Sequence, residues 1–164
     1  MIALGADKKA AVEAFWRFSL MVYGRPGVSV ALVGLQDRAG HNVNLILFGL
    51  WLAIGRGRRL DAAGLAGARA KIVELDRNVV APLRDLRRNL KPDPDPDIQN
   101  LRKRVMALEL VAERRIQAQL AATTAGRAAK GNRIGLAESN LRLILGADFF
   151  SPEGELLRET LAGL

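Results

Sequence analysis

Twelve residues, Val43–Ile54 (VNLILFGLWLAI), constrain the fold more than any other stretch of this chain. The run is apolar on every side of a helical wheel, so it must be surrounded either by protein or by lipid. A spanning helix needs roughly 20 apolar residues. Arg56, Arg58 and Arg59 follow at once, so the run is read as a buried central helix. It closes a longer apolar stretch, residues 26–54, whose polar residues Gln36, Asp37, His41, Asn42 and Asn44 cluster at one interior turn. The remaining chain is then expected to wrap this centre as amphipathic helix.

Residues 7–23 carry Ala11, Phe15, Phe18 and Val22 at helical spacing, with Trp16 and Leu20 beside them. Gly24, Pro26 and Gly27 end that helix. Residues 28–38 open on Val-Ser-Val-Ala-Leu-Val, which suits a short strand. Leu32, Leu35 and Gln36 fit a helix better, and no second strand is found to pair with it, so the segment is read as helix. Gly40 suits a helix C-terminus and Asn42 the N-cap of the next helix. Residues 55–60 read as a basic turn. Asp61 is expected to cap a helix reaching about Val79, and Pro82 to break or kink it before a further helix over 83–91.

Lys91-Pro-Asp-Pro-Asp-Pro-Asp97 predicts an extended, exposed, stiff linker at 92–97 between N-terminal and C-terminal helical parts. Asp97 is expected to cap a long helix over 98–123 that buries Ile98, Leu101, Val105, Leu108, Ala112, Ile116 and Gln119 or Leu120. Residues 125–132 (AGRAAKGN) interrupt it. Helices over 134–145 and 152–161 close the chain, with Phe149 and Phe150 docking the intervening loop on the core. The expectation is one all-α domain, residues 1–164: a compact bundle of about seven helices around the helix at 43–54.

Three constellations could carry chemistry. The first is the polar turn of Gln36, Asp37, His41 and Asn44, where Asp37 and His41 stand four apart. The chain has no cysteine and one histidine, which leaves a metal there in need of three oxygen ligands from elsewhere, and capping or turn bonding is the plainer role. The second is a basic stripe of Arg84, Arg87, Arg88 and Lys91 at i, i+3, i+4 and i+7, beside an apolar stripe of Leu83, Leu86 and Leu90. Arginine forks suit phosphate, whereas a solvated face or internal ion pairs are the bland reading. The third is Glu109 with Glu113 on the long helix. Glu109 projects within about 40° of Val105 and so toward the apolar side. A buried carboxylate needs a partner, and an arginine of the 84–88 segment is the expected one, with Arg87, at the apolar edge of the preceding helix, the favourite. Diiron bundles add a Glu-x-x-His element to such carboxylates, and none is present.

The stretch from Phe15 to Ala53, with Trp16, Tyr23, Pro26-Gly27-Val28, Leu35-Gln36-Asp37, Gly40, Leu47-Phe48 and Trp51, resembles a proteobacterial domain-of-unknown-function family. Pro82-Leu83-Arg84, Arg87-Arg88, Leu90-Lys91 and the later ALELVAER continue the likeness to about Leu120. The resemblance implies a small helical cytoplasmic protein and carries no activity or catalytic residues with it.

Among function classes, no glycine-rich phosphate loop and no Gly-x-Ser-x-Gly elbow occurs, and no cofactor or metal is expected. Charges interrupt the N-terminal apolar run, so no secretory signal is read there and a cytoplasmic setting is expected. The formal charge of +8 favours an anionic partner, an acidic protein or nucleic acid. Aromatics are only 5% of residues and are not interleaved with the basic ones, which argues against base stacking. The expected function is therefore non-enzymatic binding or scaffolding of an anionic macromolecule through a basic surface. The alternative is a small-molecule or lipid-handling protein or enzyme, with a polar pocket near residues 36–44 or near Glu109.

Overall fold

The computed structural model describes residues 2–123 and 125–164, with side-chain surroundings from Asp7 onward. It is an all-α bundle. Helix α1 runs Ile2–Tyr23, α2 Val28–Ala39, α3 Val43–Ile54 and α4 Ala62–Leu75. A π-helical turn, Asp76–Val80, joins α4 directly to α5, Ala81–Asn89. Helix α6 runs Pro96–Ala121 and α7 Arg133–Leu145; a 3-10 turn, Gly146–Phe150, leads into α8, Pro152–Leu161. Counted as one continuous rod, α4 and α5 make the described helices seven.

Helix α3 is the centre. All of Asn44 through Ala53 is buried, and Phe48 and Trp51 gather Phe15 of α1 into an aromatic cluster with ring centroids 5.0 to 6.2 Å apart. Its chief neighbour is α7, and α1, α2 and α6 pack around the remaining sides. Gly49 permits the α3–α7 contact, because a Cβ there would come within 2.4 Å of Ile144 Cδ1. No single described helix is long and apolar enough to cross a membrane; α1 and α2 reach such a length only together, across a 99° bend.

Turn chemistry sets the α2–α3 corner. Gly40, at φ 71°, ends α2, with its own N–H on Gln36 O and that of His41 on Leu35 O. Asn42 then caps α3 through its side chain on the Leu45 N–H.

The structure differs from the sequence reading at five places. Pro82 stands in the first turn of a new helix, as expected, but the interruption comes earlier, as a π-helical turn from Asp76 in which the Ala81 N–H reaches back to Asp76 O, five residues away. Residues 92–97 are exposed but folded rather than extended. Asp93 accepts from the Asp95 N–H, Asp95 from the Asp97 N–H, and Gln99 ties back to the Leu90 and Asp93 carbonyls. The cap of α6 is accordingly Asp95, not Asp97, with Pro96 in the first turn, where its missing N–H costs nothing. Two short strands exist where none was expected: β1, Arg58–Arg59, pairs antiparallel with β2, Arg127–Ala128.

The fifth difference concerns α6 and its neighbour loop. The buried residues of α6 are Val105, Glu109, Ala112, Ile116, Gln117 and Leu120, whereas Leu101 and Leu108 are 46% and 57% exposed. The helix carries two apolar stripes, and only one of them faces the core. In the loop after α7, likewise, Phe149 is buried and Phe150 stays 66% exposed, with the Arg142 and Arg158 guanidinium groups over both rings.

Candidate functional site

Helix α5 buries none of its residues fully, and it lies along α6. Ion pairs cross its contact with α6. Arg87 donates from Nε to Glu109 Oε2 at 2.5 Å and from Nη2 to Oε1 at 3.2 Å, a two-pronged fork. Arg84 stands on the same carboxylate, Nε to Oε1 at 3.4 Å, and donates from Nη2 to Glu113 Oε1 at 3.2 Å. The side chains of Arg84 and Glu109 are 13% and 9% exposed. Two guanidinium groups and two carboxylates thus neutralise one another in a half-buried seam.

Glu113 is the more exposed carboxylate of the two. Burial pushes its carboxyl above the ordinary glutamate value, with Arg84 pulling the other way. Tyr23, at the end of α1, belongs to the same neighbourhood. Burial raises its phenol, and the Glu113 and Glu109 carboxylates add to the rise.

Arg88 pairs with Asp37 of α2, so three members of the expected basic stripe are engaged inside the molecule. Lys91 is exposed, and among the described residues it has no ion-pair partner. The polar turn is not assembled either. Asp37 faces Arg88, whereas His41 Nε2 meets Asp148 Oδ2 at 2.9 Å from the far end of the chain. Asn44 is buried and accepts from Gln117 Nε2 at 3.0 Å, Ser19 Oγ donating in turn to Gln117 Oε1 at 3.2 Å. Gln36 is half-buried and joins none of them. The reason is helical phase: Asp37 lies before the Gly40 corner and His41 after it, so the four-residue spacing does not put them on one face.

His41 belongs to a clasp. Asp148 also takes Arg38 at 3.1 Å, and Arg38 reaches Glu153 in the first turn of α8 at 3.2 Å. The His41 hydrogen bond, then that of Arg38, holds the Asp148 carboxyl below its usual range. Glu153 is lowered by its own backbone N–H, Ser151 and Arg38. A second feature the sequence reading passed over is Asn140, buried on α7. It accepts from the Leu60 N–H at 2.8 Å and donates to Gly49 O and Arg58 O at 2.9 and 3.1 Å. A visible signal was its place within the apolar stripe of Leu136, Ala137, Leu141 and Ile144.

The described residues form open concavities, one between α4 and the segment that includes Ala122, Gly126 and Arg127, lined in part by Gly64 and Lys71, and another between α1, Arg56 and the end of α6. Neither includes Asp37, His41 or Glu109. Among the described residues, no group of three or more His, Asp or Glu could hold a metal ion.

Residues 14–120, well over half the chain, match the family described as Protein of unknown function (DUF2390). The chain belongs to that family. No curated protein and no solved structure matches it. The DUF2390 span takes in α1 from Ala14 through α6 to Leu120, and hence the whole Arg84–Arg87–Glu109–Glu113 network. It leaves out α7 and α8, although α7 is the chief packing partner of α3. Asn140, Asp148 and Glu153 lie beyond the DUF2390 match.

Proposed function

We propose that the chain is a non-enzymatic binding module that holds an acidic macromolecular partner on a basic surface, and that this surface is the outer face of α6. One observation carries the reading. Between residues 98 and 121 the only carboxylates are Glu109 and Glu113, and both are turned inward onto Arg84 and Arg87. Lys103, Arg104 and Arg115 are exposed on the other side, and among the described residues no carboxylate pairs with them. The formal charge of +8 adds long-range attraction for an acidic partner. The α5 stripe is not the contact surface in this reading, because removing Arg84, Arg87 or Arg88 from its internal partner would cost stability. The scarcity of aromatics favours acidic protein over nucleic acid. A cytoplasmic setting is part of the proposal, and fractionation of expressing cells checks it.

Retention on a heparin column tests the surface. A Lys103→Glu/Arg104→Glu/Arg115→Glu variant should elute at clearly lower salt than an Arg69→Glu/Lys71→Glu/Lys130→Glu control of the same net charge. Surface attraction of this kind is screened by salt, so position and not only total charge should decide the elution point. Equal elution of the two variants would overturn the reading.

A further inference from the structure

On the outer face of α6, Leu101, Arg104, Leu108, Val111, Arg115 and Ala118 recur at alternating intervals of three and four residues. That is the 3.5-residue period of a coiled-coil seam, which drifts by only about 20° per heptad on a straight helix. Leu108 and Val111 are 57% and 68% exposed and Leu101 is 46% exposed. The inner face of α6 already packs Val105, Ala112, Ile116 and Leu120 into the core, so this second stripe is surplus to the fold. From residue 101 to 118 it extends about 25 Å, enough for more than two heptads.

Charge decides what covers it. An antiparallel copy that sets Leu108 on Val111 also sets Arg104 on Arg115 and Leu101 on Ala118. A parallel, in-register copy sets Arg104 on Arg104 and Arg115 on Arg115. Both pairings press guanidinium against guanidinium inside an apolar seam, which disfavours a second copy of this chain. A helix with aliphatic residues along its stripe and carboxylates opposite the two arginines removes the conflict, since arginine pairs carboxylate through a fork.

We propose that the Leu101–Arg104–Leu108–Val111–Arg115 stripe of α6 is one half of a heterodimeric coiled-coil contact whose other half is an acidic amphipathic helix of a second protein. This rests on the binding reading above and narrows its partner to a helix of stated pattern.

The test uses the full chain and two labelled synthetic peptides of three heptads each. One carries leucine along the seam and glutamate opposite Arg104 and Arg115, and the other has the same composition scrambled. Fluorescence anisotropy should show the patterned peptide binding at least about tenfold tighter than the scrambled one. Leu108→Asp should remove that advantage while the circular dichroism spectrum stays unchanged. An Arg104→Glu/Arg115→Glu variant should lose the glutamate peptide and gain a lysine version of it, a swap that misfolding cannot mimic.

Equal binding of both peptides, with heparin retention intact, would overturn the seam and leave the basic surface standing. No binding to either peptide or to heparin would overturn both readings. A dimer in sedimentation equilibrium that Leu108→Asp dissolves would give the seam to a second copy, against the proposal. Tighter binding of an RNA oligonucleotide than of the patterned peptide would overturn the partner class.

Discussion

Glu109 answers to two arginines, not one, and that changes what a substitution should do. Arg87→Met leaves Arg84 on the same carboxylate, so its cost should stay near 1 kcal/mol, the range of one charge-assisted bond lost with a substitute at hand. Glu109→Gln leaves Arg87 without its carboxylate and Arg84 with Glu113 alone, in a seam where Arg84 is 13% exposed, and should cost about 3 kcal/mol. A double-mutant cycle read by urea unfolding should give a coupling energy of about 1–3 kcal/mol between the two sites. Additive effects would show that Glu109 owes its place to something other than Arg87. Asn140 makes the same point with neutral groups: its three bonds satisfy one N–H and two carbonyls at the edge of α3 and β1, where water is shut out.

Among the elements, α6 carries two stripes of different surroundings. Its inner stripe is apolar apart from Glu109 and Gln117, both of which have partners. Its outer stripe is apolar apart from Arg104 and Arg115, which have none among the described residues. Averaging hydrophobicity around the helix merges the two, which is how Leu101 and Leu108 come to be expected inside. The start of α6 is set locally. Asp95 accepts the Asp97 N–H as N-cap, so Asp95→Ala should lower stability by about 1 kcal/mol. Asp97→Ala, which removes only a charge near the helix N-terminus, should cost about half that or less. Urea unfolding of the two variants separates them, and a larger loss for Asp97→Ala would place the cap where the sequence reading had it.

For the whole molecule, acid should weaken the clasp that joins α2 to the 3-10 turn and α8. Asp148 and Glu153 both sit below their ordinary values in the folded protein. The unfolded chain therefore takes up protons on them before the folded one does. Their contribution is complete above the ordinary carboxylate range and is lost as pH falls through the lowered values. Glu113 carries the opposite sign: its raised carboxyl adds stability once protonated, and that gain disappears as pH rises through its folded value. Asp148→Asn should lower Tm at pH 7 and flatten the fall of Tm between about pH 5 and pH 3. Parallel melting curves for the variant and the natural protein across that range would remove Asp148 from the account.

Some of this was settled by the chain locally, and some only by packing. An apolar run of 12 residues at Val43–Ile54 leaves a helix no choice but the centre of the bundle, because no face of it can meet water. Gly40 and Asn42 determine the corner before it by backbone geometry and capping, which depend on neighbours a few residues away. The placing of Glu109 toward the core and of Arg87 at an apolar edge follows from the 100° step of the helix. Periodicity gives each residue an angle about its own axis, but it does not say which other helix lies at that angle. Hence the sequence did not tell the inner stripe of α6 from the outer one, show that two arginines of the 84–88 segment share Glu109, or send His41 to a residue 107 positions away instead of to Asp37. Those outcomes depend on how the other helices pack about α3 and against one another, and that arrangement is a property of the assembled core.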